Sequence, residues 1–89
     1  MARNPDYDYD TDKVDEAVFA LLYLTLHDVN EFAGRAWKGH DWDVLDRLHA
    51  KGLIGDPRSG AKSVVLDAED IRKCEAAFQR LFGKAGSPA

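Results

Sequence analysis

The chain has 89 residues and a formal net charge of -4 at pH 7. That length accommodates one domain with one modest core, and a composition with 45% hydrophobic residues is typical of globular proteins. The apolar stretch 17–26 is too short to cross a membrane, which takes about 20 residues. It is not preceded by a basic segment, so we expect a cytoplasmic protein that carries no secretory signal and binds no membrane.

Both chain ends are polar and lack an apolar period. We therefore predict a flexible acidic arm at residues 1–10, one folded domain at 11–83 and a flexible tail at 84–89. A lone cysteine, Cys74, does not suit a disulfide-stabilised secreted domain. We expect it to be a small buried hydrophobic residue.

The first helix is predicted to begin at Thr11 or Asp12, either of which can cap it, and to continue to about His27. Asp15 and Glu16 suit the positive end of the helix dipole in the first turn. The helix is apolar nearly all round, so both of its sides need to be covered.

A second apolar face of this helix consists of Phe19, Tyr23 and Leu26. A homodimer whose interface is built on these three residues would cover it, and we expect an isologous pairing. The alternative is that the C-terminal helix of the same chain covers this face.

Glycines in residues 30–40 predict a loop followed by one short helix around Arg35 to Lys38, with Trp37 as its buried anchor. A helix from Trp42 to Lys51 follows, with Asp41 as its cap and a glycine after its last residue. The side chains of this helix that are expected to face inward are Val44, Leu45 and Leu48.

The runs 53–54 and 63–66 are β-prone and flank turn residues, which predicts a β-hairpin. Asp67 is expected to cap a last helix, Ala68 to Phe82, which Gly83 ends. Its predicted apolar stripe is Ile71, Cys74, Phe78, Leu81 and Phe82. The order of elements predicts a mainly α single domain with a small β-hairpin, similar to a winged helix-turn-helix.

Three stretches of the sequence carry a family resemblance. They are D-K-V-D-E-A-V-F-A-L-L-Y-L-T-L at 12–26, R-A-W-K-G-H-D-W-D-V-L-D-R-L-H-A-K-G-L-I at 35–54, and A-K-S-V-V-L at 61–66. This pattern resembles a family of small bacterial proteins of unknown function. The resemblance implies a bacterial origin and a shared fold, and it implies no catalytic residue.

The sequence contains no phosphate-binding loop, dinucleotide fingerprint, nucleophile elbow or C-x-x-C pair. The three histidines and the cysteine are not spaced as chelating pairs within one element. We therefore expect a protein that is not an enzyme and that has no catalytic residue, no metal and no cofactor.

The favoured hypothesis is a protein-interaction module that forms a homodimer and uses Asp43 and Asp46 as an acidic interaction surface. A third hypothesis is that these two residues and the acidic arm mimic nucleic acid and block a basic site on another protein.

The alternative is a DNA-binding winged-helix regulator. Its candidate nucleic-acid contacts are Arg35, Lys38, Arg47, Lys51, Arg58 and Lys62. Carboxylates at the start of the recognition helix would face phosphates, which disfavours it. DNA binding would gain support if Arg35, Lys38, Arg58 and Lys62 formed one patch from which Asp43 and Asp46 pointed away.

Overall fold

The computed structural model describes residues 9–84. Its elements are α1 Thr11–Leu21, a 3₁₀ turn Leu22–Thr25, β1 Ala33–Trp37, α2 Trp42–Ala50, β2 Ser63–Asp67 and α3 Ala68–Phe82. These elements confirm the predicted class, a mainly α domain with a small antiparallel β element. Most of the predicted arm and tail lies outside the described residues. No helix within 9–84 is long and apolar enough to span a membrane.

The cap of α1 lies one residue earlier than predicted. Asp10, rather than Thr11 or Asp12, accepts hydrogen bonds on its carboxylate from the N–H groups of Asp12 at 2.9 Å and Lys13 at 3.3 Å. Regular helix ends at Leu21, well before the predicted end at His27. The chain tightens into the 3₁₀ turn there because His27 forms a β-bridge with Arg35.

Helix α3 has the predicted bounds, and α2 differs from its predicted range by one residue, because it ends at Ala50 rather than at Lys51. The Asp41 carboxylate accepts the N–H groups of Asp43 and Val44, and α2 closes at Gly52, whose φ of +77° favours glycine. Asp67 caps α3 by accepting the N–H of Asp70 at 2.8 Å.

The predicted short helix around Arg35 to Lys38 is wrong, because this segment lies in strand β1. The ladder is antiparallel and pairs Ala33 with Asp67 at one end and Trp37 with Ser63 at the other. A Cβ at position 34 would lie 2.9 Å from Cγ2 of Val29, so Gly34 permits close packing of the strand rather than a loop.

The predicted hairpin has the right second strand and the wrong first one. Residues 53–54 do not form a strand, and β2 pairs with β1 instead. The N–H of Leu53 closes the end of α2 on the carbonyl of Leu48 at 3.0 Å, and Pro57 has no N–H to donate. Of residues 53–57, only Gly55 donates a backbone N–H to β2, to the carbonyl of Val65 at 2.8 Å.

The predicted interface face of α1 is covered by α3 within the chain. Phe19 is 5% exposed, and the rings of Tyr23 and Phe78 lie 5.0 Å apart. Leu26 is partly buried against the same core. The intramolecular alternative therefore accounts for this face, and a second copy would have to bind elsewhere.

Cys74 lies under this contact between α1 and α3 and is fully buried. Its thiol donates a hydrogen bond to the carbonyl of Phe19 at 3.0 Å, and burial raises its pKa to about 12. The prediction of a buried cysteine is confirmed. Of the predicted stripe on α3, however, Leu81 and Phe82 are exposed.

A buried ion pair joins α1 to α2. Asp15 is fully buried, and both of its carboxylate oxygens bind the guanidinium of Arg47 at 2.7–2.9 Å. The ammonium of Lys51 adds a third contact at 3.0 Å. Burial alone raises the pKa of Asp15, but the hydrogen bonds from Arg47 and Lys51 lower it below the ordinary value.

We expect Asp15→Asn to lower the free energy of unfolding by about 3 kcal/mol, because it leaves the buried Arg47 without its counterion. Urea unfolding measures this loss. Asp12→Asn is the matched control, since the Asp12 side chain is 82% exposed and its pair with Lys51 should contribute less than about 1 kcal/mol. Equal losses in both variants would contradict a stabilising role for the buried pair.

The contribution of Asp15 should also depend on pH. Because its folded pKa lies below the ordinary 3.8, its stabilisation is complete well above that value and is lost as the pH falls through the folded pKa. The stability difference between the natural chain and Asp15→Asn should stay constant at neutral pH and shrink below about pH 4. A difference that does not change between neutral and acidic pH would contradict this assignment.

Candidate interaction surface

One face of the two-stranded sheet is open to solvent. Gly34 and Ala36 of β1 point into the core, whereas Arg35, Trp37 and Val65 alternate with the inward positions on the opposite face. Trp37 is 51% exposed and Val65 is 39% exposed.

Trp37 is not the buried anchor that the sequence predicted. Its indole ring stacks on the imidazole of His27, with centroids 4.4 Å apart and planes inclined by 25°. His27 is held in turn by a 2.8 Å contact between its Nδ1 and the carbonyl of Thr25. The hydroxyl of Thr25 accepts the backbone N–H of Trp37. The indole is therefore supported on one side and presented to solvent on the other.

Trp42, the first residue of α2, is the second exposed tryptophan, with 47% of its surface accessible. The guanidinium carbon of Arg58 lies 4.7 Å from the indole centroid, and the ammonium of Lys38 lies 5.5 Å from it. Arg58 also forms an ion pair with Asp46 at 2.7 Å. The two cation–π contacts restrict the Trp42 ring, and the ion pair with Asp46 holds Arg58 in place over it.

Lys38 connects the surroundings of the two tryptophans. Its ammonium donates to the carbonyls of Pro57 at 2.6 Å and Ser59 at 2.9 Å, and its backbone N–H donates to Lys62. The loop that carries these acceptors is therefore tied to the segment between the two indoles. We name this region the tryptophan surface, and it comprises His27, Arg35, Trp37, Lys38, Trp42, Arg58 and Lys62.

Four of the predicted nucleic-acid contacts belong to this region, namely Arg35, Lys38, Arg58 and Lys62, but their charged groups are held at separate places, Arg35 on Ser63 and Lys38 on the loop at Pro57 and Ser59. The acidic residues do not point away as DNA binding would require, because Asp46 pairs with Arg58 inside the region and Asp43 lies exposed in the same first turns of α2. The position of Asp46 therefore does not meet the condition that was set for DNA binding.

The other two candidate contacts belong to the buried ion pair. Arg47 was expected at the surface, yet its side chain is 6% exposed and binds Asp15. Lys51 is partly exposed and also binds Asp15. Their charges are used within the fold, so Arg47 is excluded as a nucleic-acid contact.

Sequence reasoning missed His27 and Trp42 as surface features. Trp42 had a detectable signal, because it shares a helix face with Asp46 and His49, opposite the inward side chains of α2. His27 had none, since its position depends on a bridge to Arg35 eight residues later in the chain. Within residues 9–84, no cluster of three or more histidine, cysteine or acidic residues could hold a metal ion.

We expect Trp37→Ala to lower the free energy of unfolding by only about 1 kcal/mol, because the indole is half exposed and loses mainly its stacking contact with His27. Leu45→Ala, at a fully buried position of α2, is the matched comparison and should cost about 3 kcal/mol. Chemical unfolding of both variants tests the difference. A loss at Trp37 as large as that at Leu45 would show that the ring serves the core.

Comparison with known proteins places the chain among relatives without an assigned activity. It is 56% identical over 73 residues to the uncharacterized protein y4hR of Sinorhizobium fredii (strain NBRC 101917 / NGR234), an alignment that covers 82% of this chain and 93% of that protein. No solved structure gives a significant match. A family model described as a domain of unknown function, DUF6429, matches residues 10–84. The chain therefore belongs to the DUF6429 family.

Proposed function

We propose that this chain is a non-enzymatic protein-interaction module of the bacterial cytoplasm and that it binds its partner through the tryptophan surface. The observation that carries the proposal is the pair of half-exposed indoles, each held in place by contacts that leave it accessible. Tryptophan and arginine are the residues most enriched among those that dominate binding energy at protein interfaces. A fixed ring also loses little conformational entropy on binding.

The electrostatics around Trp42 support a protein partner. Arg58, above the ring, is paired with Asp46, and the first turn of α2 also exposes Asp41 and Asp43. This half of the surface is therefore not cationic, and a phosphate backbone would meet three carboxylates there. Protein interfaces tolerate such mixed charge at their rims.

Nucleic-acid binding is a second candidate, which one observation favours. Trp37 lies two positions from Arg35 on the same side of β1, and Lys38 and Lys62 are joined by a backbone hydrogen bond just beyond the end of the ladder, so a base could stack on the indole while nearby cations contact phosphates. In this version the chain would be winged-helix-like, with α2 as the recognition helix and the loop after it as the wing. We rank it second because of the carboxylates on α2.

The proposal also includes self-association of the chain as a homodimer. The face of α1 that was predicted to form a homodimer is covered by α3, so a dimer would use the tryptophan surface or another exposed face. Acidic mimicry through Asp43 and Asp46 is less favoured, because Asp46 is neutralised by Arg58.

The test is quantitative affinity copurification of the tagged chain from the cell that produces it. We expect Trp37→Ala and Trp42→Ala each to reduce recovery of the partner at least about tenfold, the loss typical of an interface hot spot. Leu81→Ala is the control, because Leu81 is 40% exposed on the last turn of α3.

Equal recovery with all three variants would refute the tryptophan surface as the binding site. Recovery that disappears after nuclease treatment would instead favour the nucleic-acid candidate.

A further inference from the structure

The cations of the tryptophan surface differ in whether the chain neutralises them. Arg58 has Asp46 as its counterion, whereas no carboxylate within residues 9–84 forms an ion pair with Arg35, Lys38 or Lys62. The net charge of -4 gives the chain an excess of carboxylates, so three cations without a counterion in or next to the β1–β2 ladder form a local exception. The half of the surface around Trp37 is therefore locally positive.

Neutral hydrogen-bond partners hold two of these cations in position. The guanidinium of Arg35 donates from Nε to the hydroxyl of Ser63 at 2.6 Å and from Nη2 to its carbonyl at 3.3 Å. The ammonium of Lys38 binds two loop carbonyls. These bonds fix the cations without cancelling their charge. Within residues 9–84, Nη1 of Arg35 makes no hydrogen bond, so it can donate to an anionic ligand.

Apolar surface adjoins Arg35 on the open face of the sheet. Trp37 lies two positions along the same side of β1, and Val65 is the cross-strand partner of Arg35. A shallow cavity of about 210 Å³ lies beside them, and it is lined by Asp28, Asn30, Ala33, Gly34, Arg35 and Val65. An apolar side chain can therefore lie next to an anion that is bound at Arg35.

The locally positive half of the tryptophan surface, around Trp37, is short because exposed carboxylates lie on two sides of it. Asp41 and Asp43 lie exposed beyond Lys38 at the start of α2, while Asp67 lies exposed at the other end of the sheet and Asp28 lines the cavity beside Arg35. The charges of a nucleic-acid strand recur about every 3.4 Å, so a strand crossing the surface would meet these carboxylates in either direction. One or two carboxylates fit the region better than a polyanion.

We infer that the tryptophan surface binds a short acidic protein segment in which Asp or Glu adjoins an aromatic or aliphatic residue. The carboxylate of that segment binds the guanidinium of Arg35 and is attracted by Lys38 and Lys62. The apolar side chain lies on Trp37 and Val65. This inference rests on the proposed function and specifies the chemistry of the partner.

The experiment selects ligands for the whole chain from a display library of random dodecamer peptides. We expect enriched peptides to carry Asp or Glu next to an apolar residue. Titration of an enriched peptide, made synthetically, should show at least about tenfold weaker binding when its acidic residue is replaced by the amide, because a charge-assisted hydrogen bond is lost. Selection of neutral or basic peptides, or no selection, would overturn the inference.

Variants of the chain locate the binding site. Arg35→Gln should weaken binding of the synthetic peptide at least about tenfold, and Lys62→Gln should weaken it about threefold, because Lys62 acts through long-range attraction rather than contact. The exposed Lys62 side chain makes no hydrogen bond, ion pair or ring contact within the described part of the chain, so its replacement tests charge with little effect on the fold. Lys13→Gln on α1, also an exposed lysine, is the control and should leave binding unchanged.

Oligothymidylate is the competing probe. Tighter binding of this probe than of the acidic peptide, with the same loss in Arg35→Gln, would overturn the inference in favour of nucleic acid. If copurification depends on both tryptophans while the selected peptides are not acidic, the proposed function stands and the inferred partner chemistry fails. If neither tryptophan affects copurification, the proposed function itself fails.

Discussion

The fold depends on one buried carboxylate. Asp15 projects from α1 into a region where it has no access to solvent, and it is stable there as an anion only because Arg47 and Lys51 of the α2 region converge on it. Two parallel bonds from the guanidinium to the carboxylate fix the rotation of α2 about its axis as well as its distance from α1. A purely apolar contact would leave that rotation less well determined.

The rotation of α2 about its axis matters because one end of the helix is bound to α1 while the other end contributes to the tryptophan surface. Arg47 is in the last turns and is bound to Asp15, whereas Trp42 and Asp46 face solvent nearer the first turn. With one end held by the ion pair and Val44 and Leu45 in the core, the position of Trp42 is determined by the rest of the helix. The position of Trp42 in the tryptophan surface therefore depends on the ion pair between Asp15 and Arg47 at the other end of α2.

Local signals in the sequence were sufficient for the parts of the fold that local chemistry controls. The bounds of α2 and α3 follow from their aspartate caps and from the glycines after them; those of α3 were predicted correctly and those of α2 to within one residue. Strand β1 was missed because its partner, β2, lies about 30 residues later in the chain and three of its five residues are Ala or Gly, which are depleted in strands. Nothing within residues 33–37 specifies that pairing.

The same dependence on distant parts of the chain limited what the sequence could predict about the tryptophan surface. The sequence named Arg35, Lys38, Arg58 and Lys62 as a candidate patch, but it could not show that Arg47, another candidate contact, is buried, because only the packing of α1 against α2 shows that Arg47 is the counterion of Asp15. It also assigned Trp37 to the core on hydrophobicity alone. A two-stranded sheet with one covered face leaves every second side chain in solvent, whatever its polarity.

The two tryptophans are accessible in different electrostatic settings, and this difference gives the surface a direction. Trp42 lies under Arg58, whose charge is balanced by Asp46, while Trp37 lies beside Arg35, whose charge is not balanced by any described residue. A partner that is apolar along its length gains similarly at both rings, whereas one that is acidic at one end gains only in one orientation. Because the supporting contacts hold both rings before binding, that orientation is selected at little entropic cost.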